Sequence, residues 1–133
     1  MTELANPPVT EVGPVYLELP PLSSMSRVAR LTATGVAALA GFTVDELEDI
    51  NVLVSEVMVA LVEHGAQERI SVTLEVTTDG FTVSGTTALA DFDLHHPDLA
   101  LCRTVLAAVS TSHGIEATTA GPVIWATLQP RRA

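Results

Sequence analysis

The spacing of apolar positions changes several times along this chain, and each change marks an element. Val15-Tyr16-Leu17-Glu18-Leu19 alternates with period two, which predicts a half-buried strand stopped by Pro20-Pro21. From Ser23 or Ser24, either of which can supply an N-cap, the period lengthens to that of a helix reaching about Ala40. Met25, Val28, Leu31, Val36 and Leu39 are assigned to its inner face, and Gly41 to its C-terminal stop. Thr43-x-x-Glu46 then forms a capping box for a second helix, whose Leu47, Ile50, Val54, Val57 and Leu61 make a core stripe ended by Gly65.

Alternation returns at Ile70, Val72, Leu74 and Val76, and Thr78-Asp79-Gly80 turns the chain into Phe81-Thr82-Val83. Residues 86–96 follow no regular period, and Pro97 is placed at the first position of a third helix reaching about Ser110. Residues 115–118 and 123–128 read as a hairpin around Ala120-Gly121-Pro122. The order β-α-α-β-β-α-β-β predicts an α/β two-layer sandwich, with helices on one face of a largely antiparallel sheet. Residues 1–13 read as a flexible leader, 14–129 as one domain and 130–133 as a tail that carries two solvated arginines, Arg131 and Arg132.

Composition narrows the function. A chain of 133 residues makes one domain, large enough to bury roughly two-thirds of its unfolded surface. No apolar run approaches the roughly 18–20 residues that span a bilayer, and the acidic, proline-bearing start lacks the regions of a signal peptide. The single Cys102 excludes an internal disulfide and suits a reducing cytoplasm; within its apolar helix it reads as a small hydrophobe. There is no lysine, and the formal charge is −10. Nucleic acid and anionic membranes both need a basic footprint, so neither is expected as a partner.

The stretch from Thr43 to Gly65 carries the most specific pattern: Val54-Ser55-Glu56 followed by His64-Gly65. It resembles the first nucleotide-binding helix of the anti-sigma-factor serine kinases, bacterial regulators in the GHKL (histidine-kinase-like) ATPase superfamily. Leu17-Glu18-Leu19, Ala29-Arg30-Leu31-Thr32, Asp45-Glu46-Leu47 and Ser71-Val72-Thr73-Leu74-Glu75 fall in the same register, so the resemblance covers about residues 15–128. It implies the histidine-kinase-like ATPase fold, with Glu56 at the position of the base that activates the attacking hydroxyl or water.

The same register places replacements at the other functional positions. Ala60 stands where the family has an Asn that binds magnesium through oxygen. Gly85 stands for the Asp that reads the adenine amino group, and Thr87 for the Gly that follows it. The family's Gly-x-Gly is represented by Asp98-Leu99-Ala100-Leu101, with Asp98 and Ala100 for the two glycines. A carboxylate there complements the helix dipole but repels a phosphate. Ten residues separate Thr87 from Asp98, against several tens in the family, which implies a deleted ATP lid. Asp91 and Asp93 could replace the adenine reader only if their loop folds back. Asp49, Glu56 and Glu63 share a helical face, but a seven-residue spacing puts neighbours about 10.5 Å apart, too far for one ion.

His64, His95, His96 and His113 show no spacing of a metal site and read as surface or capping residues. Arg30 lies where the family contacts its protein partner; in isolation it reads as a surface ion pair. The expectation is a cytoplasmic pseudokinase that regulates transcription by partner switching. It would bind a sigma factor or an anti-anti-sigma-type protein, with neither ATP nor magnesium bound. An active serine/threonine kinase with compensating residues and a purely structural homodimerisation module are the alternatives.

Overall fold

The computed structural model describes residues 8–64, 66, 68–89 and 91–131. Its elements are β1 (Val12–Leu19), α1 (Met25–Ala40), α2 (Val44–Glu63), β2 (Ile70–Thr77), β3 (Gly80–Thr87), α3 (Leu99–Val109), β4 (Ser112–Thr118) and β5 (Gly121–Leu128). The five strands form one antiparallel sheet in the order β1-β2-β3-β5-β4. Strand alternation explains why the helices share one side. Ile70, Val72, Leu74 and Val76 of β2, Phe81 and Val83 of β3, and Ile124, Ala126 and Leu128 of β5 are all buried. Each of these side chains larger than alanine contributes about 1.5–3 kcal/mol when removed from water. The intervening residues form a polar outer face, where Thr82 and Thr127 share a hydroxyl hydrogen bond of 2.8 Å. There the Trp125 indole also covers the backbone of Gly114 on the edge strand, where a Cβ would come within 2.6 Å of its Nε1.

Helix α2 lies between α1 and α3 and crosses β3 and β5. Its start follows the predicted capping box: Thr43 Oγ1 accepts from the Glu46 amide, and Glu46 Oε1 accepts from the Thr43 amide at 2.7 Å. Ile50, Val54, Val57 and Leu61 are buried as expected, joined by Leu53 and Met58. The helix is capped by His64; Gly65, its predicted terminator, lies outside the described residues.

The inner face of α1 differs from the expected one. Leu31 is 64% exposed and Leu39 79%, with Val28 also outward, while Ala29, Ala33, Ala37 and Ala40 are buried. Met25 and Val36 are only partly buried. The physical reason is size: methyl groups at helical spacing let α1 approach α2 and the sheet more closely than a leucine stripe permits. No side-chain cap is made by Ser24; tight turns from Leu22 and Ser23 accept the first amides instead. Gly41 closes the helix in the left-handed region at φ 103°, as predicted.

Several boundaries move. β1 starts at Val12, and Val9 and Val12 already pack against the core, with the Thr10 amide donating to Ala40 O at 2.8 Å. Packing against the domain is therefore seen before residue 14; residues 1–7 of the predicted leader lie outside the described residues. β3 continues to Thr87 and β4 begins at Ser112. Pro97 is not the first helical residue, because α3 starts at Leu99 after Asp98. Gly121 and Pro122 belong to β5 rather than to the preceding turn.

Of the predicted tail, Arg131 is exposed but docked on the domain, and Arg132 and Ala133 lie outside the described residues. Arg131 donates its amide to Glu46 Oε2 at 2.6 Å and its guanidinium to Asp49. Glu46 is 1% exposed, yet both its oxygens accept hydrogen bonds, which is what makes a buried carboxylate tolerable.

Candidate functional site

A cleft of about 440 Å3 opens between α2 and α3. Glu56, Val59, Ala60, Glu63 and His64 line it from α2 and its cap, and Pro97, Asp98, Leu101 and Cys102 from the start of α3. Spacings of three and four residues put Glu56, Ala60 and Glu63 on one side of α2. That side faces α3, while Val57 and Leu61 on the next stripe face the sheet. The predicted acidic face thus divides, since Glu56 and Glu63 enter the cleft while Asp49 pairs with Arg131.

Carboxylates set the character of the cleft. Partial burial pushes the Glu56 carboxyl above its ordinary range, and the neighbouring charge of Glu63 pushes it further. Cys102 packs as a small hydrophobe, with its thiol 3.9 Å from Glu56 O. Burial drives that thiol up to about 11; Glu56 adds to the shift and Arg103 partly offsets it. A thiol held so high is protonated at neutral pH and unreactive. Three carboxylates around an apolar floor of Val59, Ala60, Leu101 and Cys102 suit a cation and oppose a polyphosphate.

The structure brings Glu56, Ala60 and Asp98 together and leaves the other predicted positions apart. Gly85 lies on β3 beneath α2, where a Cβ would sit 2.6 Å from Val57 Cγ1 and 2.9 Å from Leu61 Cδ1. Thr87 is buried, and its hydroxyl donates to Arg69 O at 3.1 Å. Ala100 is exposed and does not line the cleft. Asp93 is engaged in its own loop, accepting from the His95 amide at 2.9 Å. Arg30 is half-buried between helices, and its Nη1 donates to Ser55 Oγ at 3.3 Å, so it does not stand free of α1 as a surface ion pair would.

Chain spacing missed one grouping. His64, His96 and Asp98 come together at the mouth of the cleft, each offering a ligand atom within 4.8 Å of the others. The two imidazoles meet edge to face, with ring centroids 4.7 Å apart. His64 ends one helix and His96 precedes another, so only the packing of α2 against α3 makes them neighbours. The short His96-x-Asp98 spacing was the one signal available in the sequence.

No protein-family model matches this chain, and no curated protein does. Among solved structures, the RsbU and RsbW domains of Rv1364c from Mycobacterium tuberculosis superpose with a TM-score of 0.74 at 20% identity, over 92% of this chain and 34% of that one. The fold is RsbW-like. This chain spans about a third of the length of that neighbour. A chain of the SiaB–SiaC complex from Pseudomonas aeruginosa matches with a TM-score of 0.62 at 12% identity, over 86% of this chain and 88% of its own. The five-stranded antiparallel sheet with three helices is thus an architecture shared with these two structures. Among the described residues, no helix is long and apolar enough to cross a membrane.

Proposed function

We propose that this protein is an anti-sigma-factor-like regulator that acts by protein–protein contact and neither binds ATP nor transfers phosphate. One observation carries the reading: the position predicted for the adenine reader is a glycine, and a Cβ there would come within 2.6 Å of Val57 Cγ1 and 2.9 Å of Leu61 Cδ1, so any side chain must push both aside. An adenine-binding carboxylate at residue 85 would have to displace the core. Three further features agree with it. The cleft offers carboxylates where phosphates would bind, Ala60 supplies no oxygen to magnesium, and only residues 88–98 join β3 to α3, too few for a lid of the family's size.

The partner is a sigma factor or an anti-anti-sigma-type protein, in keeping with the SiaB–SiaC assembly to which the fold is similar. The outer side of α1, where Leu31 and Leu39 are exposed on the helix that carries Arg30, is the apolar surface available for it. The single buried thiol suits a cytoplasmic setting.

Calorimetry with ATP and ADP, with and without magnesium, tests the reading. No saturable binding is expected at millimolar nucleotide. Micromolar affinity would overturn the reading and restore the kinase, with Glu56 as its base.

A further inference from the structure

We infer that His64, His96 and Asp98 form a binding site for one transition-metal ion of the zinc or cobalt class. The inference goes beyond the regulatory reading and does not rest on it, since metal stoichiometry and nucleotide affinity are measured separately.

Chemistry selects the metal. Two neutral imidazoles and one carboxylate suit zinc, cobalt, nickel or copper, whereas magnesium and calcium require mostly oxygen. The three ligand atoms lie within 4.8 Å of one another. Metal–ligand bonds of about 2.0–2.2 Å in a tetrahedral site set ligands about 3.3 Å apart, so closure needs at most about 1.5 Å of side-chain torsion. Asp98 is exposed and both imidazoles are only half-buried, so water can reach a fourth position and complete the coordination shell.

The site is also oriented before any metal arrives. The Asp98 amide donates to His96 Nδ1 at 3.1 Å, which holds the ring beside Asp98; that bond is given up when the same lone pair turns to a metal. Asp98 Oδ2 lies 3.9 Å from the same nitrogen, so a metal can be shared between them. The loop that carries His96 is anchored by Arg103, which donates to Leu94 O at 2.8 Å, and by the Leu99 amide, which donates to His96 O at 3.0 Å. His64 is held as the cap of α2, with its amide on Ala60 O at 3.2 Å, and its ring meets Phe92 edge-on. Two side chains come from one anchored loop and one from a helix end, so metal binding would clamp α2 to the entrance of α3. That clamp would narrow the mouth of the cleft.

Zinc titrated into the metal-free full chain should bind at one equivalent, more tightly than about 10 µM. Magnesium should give no saturable heat, and cobalt should develop visible absorption bands of a low-coordinate site. His96→Ala and Asp98→Ala should each weaken zinc binding about tenfold or more. Asp98 is exposed and makes no side-chain cap, so its variant should keep the fold and serve as the second test. His95→Ala, one residue outside the cluster, should bind as the parent does. No zinc binding by the parent chain overturns the site. So does one-equivalent binding that survives both ligand variants, or that His95→Ala weakens equally.

Discussion

The two sides of α2 have opposite designs. Toward the sheet, Val57 and Leu61 pack onto a bare β3 backbone at Gly85, and the interface is dry and closed. Toward α3, residues only one to four positions away in sequence line an open cleft with three carboxylates and an imidazole. One helix therefore seals against the sheet on one side and leaves the other side open to solvent. The sealed half contributes stability, and the open half is the part left to contact a ligand or an ion.

The sharpest way to break this contrast is to put a side chain back into the sealed half. Gly85→Asp would drive a Cβ into Val57 and bury a charge beside it; the expected cost is about 3 kcal/mol or more, read from urea denaturation. Near-parental stability in that variant would mean that the interface can open, and it would remove the steric argument against nucleotide binding made above. A matched pair of leucines tests the two sides directly. Leu61→Ala, at 1% exposure, should cost about 2–5 kcal/mol by leaving a cavity, whereas Leu101→Ala, 70% exposed at the cleft, should stay within about 0.5 kcal/mol. Equal losses would erase the distinction.

The smallest effect concerns charge in the open half. Because the folded state raises the Glu56 carboxyl above its ordinary value of 4.5, the folded chain keeps a proton that the unfolded chain has lost. Stability contributed by this group is therefore lost as pH rises above 4.5, through the raised folded value. Glu56→Gln should remove that dependence, gaining on the parent chain between acid and neutral pH in paired melting curves. A variant that instead loses ground as pH rises would place Glu56 in a stabilising contact.

Much of the architecture could be read from local pattern. The capping box at Thr43 and Glu46, the alternation of β2 and the glycine stop at Gly41 are short-range features, and the folded structure keeps all three. The face of α1 was misjudged because hydropathy ranks Leu31 and Leu39 above Ala33 and Ala37, whereas close helix packing rewards the smaller group. Glu56, Ala60 and Asp98 were found through register with a known motif, and they do share a cleft. The His64, His96 and Asp98 grouping and the Arg131 contacts were hidden, because each joins distant segments that no local period relates.

The Arg131 contact also decides where the described chain leaves the fold. Thr10 is tied to Ala40 at the end of α1, and Arg131 to Glu46 at the start of α2, so both ends of the described chain gather at the corner around Gly41. The cleft begins near Glu56 and runs to His64, which puts its centre about 20 Å further along α2. The described chain therefore enters and leaves the fold at one shared corner, set apart from the cleft along α2.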